Sequence, residues 1–309
     1  MTALTRPVAR AGTKDGRWRR LRALAAVEAR RTARSTWLWT GAAGTLAMLS
    51  LLGDADYQSG SYTLATAGFT ALALGVFVHA VHSGGRDRAG VDEAVAPAAV
   101  MDGDERATAR LLGLWPGAAI GLLAALVLGV GERIEGGYWV GESLWRTDAQ
   151  VHSVLELSQI PALVAFAAAA GLAAGRASRR RGLVSVLGAV AAAALGFTSW
   201  AWQWVPARYV TLVQTQPIEL DLGPGFALSD TPDGWLLAGP NEFESSWRRV
   251  VVHEAMAGWH SVYLIGLAVL LAGLAVRGRA GARLALAGVL VAVTGVVAQV
   301  LVAPASPAV

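Results

Sequence analysis

Seven apolar runs divide this chain of 309 residues, and each is about as long as a membrane-spanning helix. A helix needs ~20 mostly apolar residues to cross the ~30 Å hydrocarbon core of a bilayer. In lipid, helices of this kind satisfy all of their own backbone hydrogen bonds. The runs therefore predict an all-α, polytopic integral membrane protein with six to seven transmembrane helices. They occupy residues 35–53, 62–82, 111–130, 157–175, 183–205, 257–276 and 284–303, and none contains Asp, Glu, Lys or Arg.

The composition agrees with a membrane protein. Hydrophobic residues make up 54% of the chain and charged residues only 16%, with a mean hydropathy of +0.47. A soluble protein of this length needs more charge to cover its surface. Cysteine is absent, which excludes disulfides, thiolate metal sites and thiol catalysis but does not identify a compartment.

The distribution of basic residues predicts the orientation. Of the 26 Lys and Arg residues, 21 lie in segments 1–34, 83–110, 176–182 and 277–283. Cytoplasmic loops of membrane proteins carry such an excess. We therefore expect a multi-pass protein of the plasma membrane with its N-terminus in the cytoplasm. The seventh run would put the C-terminus outside, although nothing charged follows that run to confirm that it crosses.

The same pattern divides the chain into four regions. Residues 1–34 form a basic cytoplasmic segment, and residues 35–205 hold spans one to five with a cytoplasmic loop at 83–110. Residues 206–256 form an extracellular segment, and residues 257–309 hold spans six and seven. The extracellular segment combines turn formers with short β-prone stretches. A small cap with a hairpin and a loosely ordered loop are both compatible with it.

The basic segment before the first run has the pattern of an amphipathic helix. Apolar residues recur there at three- and four-residue spacing, and arginines surround them. Such a helix can lie on the inner leaflet with its arginines on anionic lipid. A basic tail that only fixes the topology is the alternative. The residues assigned to this interfacial helix are Trp18, Leu21, Glu28, Arg30, Arg31 and Arg34.

The cytoplasmic loop 83–110 is dense in Asp, Glu and Arg and predicts two short helical pieces. Asp92 is placed to cap a short helix that Pro97 then disturbs. Asp102, followed three residues later by Glu105, resembles a capping box for a helix that leads into the third run. A structured loop between two spans can transmit force from a soluble partner to the membrane helices.

Three stretches give the chain a resemblance to the permease subunits of type-2 ABC exporters, in particular actinobacterial-type members. RDRAGVDEAVAP at 86–97 with ERATARLLGLWPG at 105–117 is similar to the loop after that family's second span. VEARRTARSTWLWTG at 27–41 is similar to the family's helix on the inner membrane surface. WHSVYLIGLAVLLAGLAV at 259–276 is similar to the opening of a late span.

The resemblance implies partners and a role for the loop. The loop would dock as a coupling helix on a cytosolic P-loop ATPase subunit. Two copies of the chain, or one copy and a paralogue, would form a path for a hydrophobic or amphipathic substrate. Helix capping and charge anchoring at the membrane are the alternative roles of the same residues. The residues implied in docking are Asp92, Glu93, Pro97, Asp102, Glu105, Arg106 and Arg110.

The sequence offers no catalytic or metal-binding constellation. Lys14 is the sole lysine, so no GxxxxGK[ST] phosphate loop can be built. His253 and Glu254 begin like an HExxH motif, but the next histidine is His260, which is too far along the helix for a zincin site. We therefore expect no enzymatic activity, no cofactor and no bound metal in this chain, with ATP hydrolysis left to the partner.

Two functions from different classes are compatible with these features. The first is the exporter permease that the resemblance implies. The second is a membrane sensor or scaffold whose extracellular segment 206–256 binds a ligand. Both act in the lipid bilayer, and neither involves nucleic acid.

Overall fold

A computed structural model describes most of the chain as α-helix. The described residues are 14–50, 61–88, 101–139, 149–178, 180–201, 206–214, 216–232, 235–239 and 246–304. Short 3-10 turns follow some of the helices, among them Gly85–Arg88 and Pro206–Tyr209. The α-helices are α1 (Lys14–Ala33), α2 (Thr36–Ser50), α3 (Ser61–Ala67), α4 (Thr70–Gly84), α5 (Gly103–Gly113), α6 (Trp115–Glu135), α7 (Val154–Leu157), α8 (Gln159–Ala177), α9 (Arg181–Ala201), α10 (Glu254–Val276) and α11 (Gly278–Val302).

Several helical stretches have the length and composition of membrane spans, which confirms the prediction of an all-α polytopic membrane protein. The first and fifth apolar runs correspond to α2 and α9, and both runs extend into residues outside the described ones. The seventh run forms α11, which is as long and apolar as the other spans. Among the described residues, five stretches are long and apolar enough to cross a membrane: Ala65–Gly84, Gly103–Glu135, Val154–Ala177, Glu254–Val276 and Gly278–Val302.

The helix bundle has two polar ends, and the described residues of all four arginine-rich segments lie at one of them. Arg176, in the last turn of α8, donates to the Gly103 carbonyl at 3.1 Å, and Arg277, directly after α10, donates to the Arg176 carbonyl at 3.5 Å. Glu28 of α1 pairs with Arg86, after α4, at 2.7 Å. We call this the inner end, because the arginine distribution predicts it to be cytoplasmic. The opposite end, which carries the β-strands, is the outer end.

The second apolar run is interrupted rather than continuous. Its helix stops at Ala67 and resumes at Thr70. The buried hydroxyl of Thr45 on α2 bridges the gap, because it donates to the Gly68 carbonyl at 3.0 Å and accepts the Leu72 N–H at 3.1 Å. It thereby satisfies the Leu72 N–H, which the helix interruption leaves without an intrahelical partner, and adds a second hydrogen bond to the Gly68 carbonyl, which also accepts the Ala71 N–H.

The last two spans form a tight hairpin with glycines at the contact. These glycines recur every seven residues: Gly266 and Gly273 on α10, and Gly281, Gly288 and Gly295 on α11. A Cβ on Gly288 would lie 2.2 Å from a backbone atom of α10, and one on Gly266 would lie 2.3 Å from a backbone atom of α11. Small residues permit this close approach of membrane helices, so glycine is required at these positions.

Short antiparallel strands lie at the outer end. β1 (Tyr138–Trp139) pairs with β2 (Ala149–Gln150). β3 (Ile218–Asp221), β4 (Leu236–Ala238) and β5 (Arg248–Val251) form a second sheet in the order β3-β5-β4, with antiparallel neighbours. Of the two possibilities for segment 206–256, its described residues therefore form a small folded cap.

Two apolar clusters hold the cap on the outer helix ends. Ile218 and Leu220 of β3 pack with Met256 at the beginning of α10. Val250 of β5 packs with Tyr62 of α3. Tyr62 and Met256 have no exposed surface, so the cap is fastened by burial as well as by the chain connections.

Candidate functional site

The inner end is organised around Glu28 of α1. Its carboxylate is buried and accepts hydrogen bonds from Arg31 at 2.8 Å and from Arg86 at 2.7 Å. A buried charge is stable only when it is paired and hydrogen-bonded, and both carboxylate oxygens of Glu28 have a guanidinium partner. Arg86 follows α4 directly, so this ion pair ties the start of loop 83–110 to the N-terminal helix.

Thr32, one turn after Glu28, joins three helices. Its Oγ1 atom lies 2.9 Å from the Gly113 carbonyl of α5 and 3.1 Å from Nε2 of His79 on α4. A hydroxyl donates one hydrogen bond and can accept others, so Thr32 can serve a carbonyl and an imidazole N–H together. A Cβ on Gly113 would lie 2.4 Å from the Cβ of Glu28, which requires glycine at this crossing of α1 and α5.

The far end of the loop is bonded to α1 and α8. The Asp102 carboxylate accepts the Glu105 N–H at 2.7 Å, which confirms Asp102 as the N-cap of α5. The Glu105 carboxylate pairs with Arg17 of α1 at 2.7 Å. The Arg176 side chain of α8 donates to the Gly103 carbonyl at 3.1 Å. Both ends of the loop are thus attached to neighbouring helices.

The residues implied in docking fall into two groups. Arg106 donates to the Met101 carbonyl at 2.7 Å, and Arg110 is only 4% exposed. Together with the N-cap of α5 and the ion pair with Arg17, these contacts give the α5 residues a structural role within the chain. Those in or next to α5 are Asp102, Glu105, Arg106 and Arg110, and those outside the described residues are Asp92, Glu93 and Pro97.

The predicted N-terminal helix is present as α1, and it packs on α5. Leu21, at the start of the apolar stripe, is 5% exposed, whereas Trp18 is 57% exposed. Arg30 and Arg34 are exposed. Part of the stripe therefore serves packing within the protein, and Trp18 with these arginines is left on the surface.

An apolar cavity of about 180 Å³ lies between α4, α8 and α9. Phe77 of α4, Phe166 of α8 and Gly188 of α9 are among the residues that line it. A Cβ on Gly188 would lie 2.2 Å from the Phe77 ring, so glycine leaves room for that ring. Apolar walls of this kind suit a hydrophobic ligand.

A second buried polar cluster, which the apolar and charge patterns of the sequence do not predict, lies at the outer end. Glu132 of α6, His152 and Glu156 are each no more than 2% exposed, and Tyr62 is fully buried. Nδ1 of His152 lies 2.6 Å from Oε1 of Glu132, and Nε2 lies 3.0 Å from the Tyr62 carbonyl oxygen. The cluster brings together three segments that are distant along the chain.

Tyr62 connects His152 to Glu156. Its ring stacks on the His152 imidazole with 3.8 Å between ring centroids, and its hydroxyl donates to Oε1 of Glu156 at 2.8 Å. Burial, followed by the negative charge of Glu156, raises the pKa of Tyr62. The phenol therefore stays protonated and acts as a hydrogen-bond donor.

One signal for this cluster is visible in the sequence. Ser153 and Glu156, three residues apart, form a capping box at the start of α7. Glu132 is harder to find, because it lies just beyond the apolar run 111–130 and reads as an ordinary loop residue. His152 has no nearby residue in the sequence that predicts its partner.

The site and the fold together define a class of protein but no family. Among the described residues, no group of three or more His, Cys, Asp or Glu side chains is placed to hold a metal ion. Comparison with protein-family models, with curated proteins and with solved structures finds no match. The chain is a polytopic helical membrane protein with a polar cluster at each end.

Proposed function

We propose that this chain is the permease subunit of an ATP-binding-cassette exporter. It moves a hydrophobic or amphipathic substrate across the plasma membrane, and a separate cytosolic ATPase subunit supplies the energy. A second copy or a paralogue completes the translocation path. The proposal extends the resemblance of three stretches of sequence, and the arrangement at the inner end supports it.

The observation that carries the proposal is the attachment of both ends of loop 83–110 to other helices. The start of the loop is bonded to α1 through Arg86 and Glu28, and Arg181 of α9 donates to the Gly85 carbonyl. The end is bonded to α1 through Glu105 and Arg17. A force on the loop would act on several spans at once, which is what a permease needs from its contact with an ATPase.

The cavity between α4, α8 and α9 supports the substrate class. Phe77 and Phe166 are part of its almost wholly apolar lining. A hydrophobic compound gains free energy from leaving water for such a surface, roughly 25 cal/mol for each Å² of apolar area that is buried. A charged compound would gain no compensating partner from these walls.

The folded cap at the outer end favours the second candidate function, a sensor with an external ligand. β3, β5 and β4 form an ordered sheet that rests on the helix ends. A ligand bound to the cap could act on α3 and α10 through Tyr62 and Met256. This alternative requires no ATPase partner, which makes the two functions separable by experiment.

The test is purification of the tagged full-length protein in mild detergent, with and without ATP, followed by identification of the proteins that accompany it. We expect a P-loop ATPase in equal ratio. Glu93→Arg, in the predicted docking loop, should remove the ATPase. Glu135→Arg, the same change at an exposed position of the outer end, is the matched control and should retain it.

A wild-type protein that purifies without any ATPase would count against the permease. Equal retention of an ATPase by Glu93→Arg and Glu135→Arg would count against docking on the loop. The first result would leave the sensor as the function to test, with ligand binding to the cap as the next measurement. The second would move the docking surface away from the loop.

A further inference from the structure

The hydrogen bonds of His152 reveal a bound proton. A neutral imidazole has one N–H donor and one acceptor nitrogen. Nε2 of His152 faces the carbonyl oxygen of Tyr62 at 3.0 Å, and a carbonyl oxygen can only accept. Nε2 therefore carries a hydrogen, and a neutral His152 would turn its bare Nδ1 toward Glu132.

Nδ1 lies 2.6 Å from Oε1 of Glu132. Two acceptors do not approach so closely without a proton between them. That proton is on His152 as an imidazolium or on Glu132 as a carboxylic acid, and in both cases the pair holds one proton more than a carboxylate beside a neutral imidazole. The other oxygen of Glu132 accepts the His152 backbone N–H at 2.8 Å.

The surroundings favour keeping this proton. Its loss would leave the charges of Glu132 and Glu156 in the same buried cluster with a neutral imidazole between them. Burying a charge without its partner is strongly unfavourable. Other titratable or charged groups lie near the pair among the described residues. The rings of Tyr62 and Tyr138 contact His152, and Arg133 donates to the Gly129 carbonyl. The remaining groups at the same end are Glu135, His253 and Glu254.

The proton lies where three elements meet, and it adds to contacts that already hold them together. Leu157 packs with Ala125 and Leu128 of α6, and β1, which follows α6, pairs with β2. Glu132 belongs to α6, His152 to the segment between β2 and α7, and Tyr62 to α3. The bond across Nδ1 fastens the segment to α6, and the bond from Nε2 fastens it to α3. If the proton leaves, the contact between Nδ1 and Oε1 becomes repulsive, which weakens the attachment of the segment to α6.

We propose that Glu132 and His152 form a binding site for a single exchangeable proton, and that this proton fastens residues 149–158 to α6 at the outer end of the protein. Alkaline conditions on the outer side release the proton and loosen the segment. The site acts in the same way whether or not the chain is a permease, since it uses no residue of the inner end.

Single-cysteine reporters test the proposal in the full-length protein. The chain has no native cysteine, so one introduced thiol gives one signal. Leu157→Cys reports on a buried position of α7, where Leu157 is 9% exposed, and Val154→Cys is the matched control on the same helix, where Val154 is 75% exposed. Both variants are placed in proteoliposomes and labelled with a membrane-impermeant maleimide over a range of pH. Because burial raises the pKa of a thiol, the ratio of the two labelling rates rises with pH even in a closed protein, so it is compared at each alkaline pH with the same ratio measured in a Glu132→Gln background.

At neutral pH, we expect the thiol of the Leu157→Cys variant to be protected relative to that of Val154→Cys. On the alkaline side, the ratio of their labelling rates should rise roughly tenfold or more above that of the Glu132→Gln background, because the unprotonated pair is strongly destabilised. A ratio that follows the Glu132→Gln background at every alkaline pH would overturn the proposal.

Glu132→Gln separates the proton from general alkaline unfolding. The Gln amide can donate to a neutral Nδ1 and accept the His152 backbone N–H, so every hydrogen bond of the site is kept without an exchangeable proton. We expect this variant to stay closed on the alkaline side and to open in acid, when a second N–H on His152 meets the amide NH₂. If this variant opens in alkali as the wild type does, the assignment of the proton site to Glu132 and His152 is wrong. Glu135→Gln is the matched control and should behave like the wild type.

Discussion

Glu28 and Arg86 are 58 residues apart in the sequence and form an ion pair of 2.7 Å at the inner end. The Glu28 side chain is 4% exposed and that of Arg86 is 28% exposed. The pair closes the start of loop 83–110 onto the N-terminal helix. It therefore makes α1 part of the bundle rather than an appendage on the membrane surface.

Glu28→Gln should destabilise the protein. The change removes the negative charge that Arg31 and Arg86 share, and we expect a loss of about 1–3 kcal/mol, below the value for a fully buried pair because both guanidinium groups are partly exposed. Thermal unfolding in detergent measures the effect. Arg34→Gln, at an exposed position directly after the same helix, should leave the unfolding midpoint in place; an equal shift in both variants would argue that the ion pair contributes nothing specific.

Gly288→Ala should push α10 and α11 apart. The new Cβ would lie 2.2 Å from the Leu270 backbone nitrogen, and forcing atoms into a packed contact typically costs about 1–3 kcal/mol. Gly131→Ala on α6 is the matched control, because a Cβ there meets nothing within 4 Å. Alanine has the higher helix propensity by about 1 kcal/mol, so the control should be neutral or slightly more stable. Unfolding midpoints of the two variants are compared, and equal midpoints would contradict the prediction.

Thr45→Val should weaken the junction between α2 and α4. Valine keeps the shape of threonine but loses the hydroxyl that bonds the Gly68 carbonyl and the Leu72 N–H. The Gly68 carbonyl keeps the Ala71 N–H, but the Leu72 N–H loses its partner, and leaving a buried polar group without a partner costs about 1–3 kcal/mol. Thr45→Ser retains the hydroxyl and should be milder. Unfolding of both variants in detergent checks this order, and a serine variant less stable than the valine variant would contradict it.

Tyr62→Phe should lower stability at neutral pH by about 1–2 kcal/mol, because the Glu156 carboxylate loses the bond from the phenol. Burial, then the Glu156 charge, raises the pKa of Tyr62 in the folded protein. The phenol's contribution is therefore complete below the ordinary tyrosine pKa of ~10 and declines at higher pH. The stability difference between wild type and variant should narrow above about pH 10. A difference that is constant or widens with pH would show that the phenol does not titrate in this way.

The sequence was sufficient to predict features that depend on local pattern. Uncharged apolar runs predicted the helical spans, and the spacing of Asp102 and Glu105 predicted where α5 begins. The arginine-rich segments were expected on one side of the membrane, and the structure brings them to one end of the bundle. Each of these signals lies within one short stretch of chain and reflects the cost of placing charge or unpaired backbone in lipid.

The remaining features depend on contacts between distant residues. Thr45 looks like any threonine in an apolar run until the interruption near Gly68 is known. The sequence near Glu132 and near His152 does not predict that the two residues pair, since the pairing depends on how α6 packs against the segment before α7. The seven-residue spacing of glycines in α10 and α11 is present in the sequence, but 36 glycines in the chain obscure it.

The glycine contacts between α10 and α11 also limit how the protein can move. Two helices whose backbones touch along their length have little freedom to slide or rotate against each other. The last two spans should then behave as a single rigid lever, closed at its inner end by the turn where Arg277 and Gly278 adopt positive φ angles of 63° and 58°. Any displacement of these spans would then move them as a whole against α8 and would act on the cap through Met256.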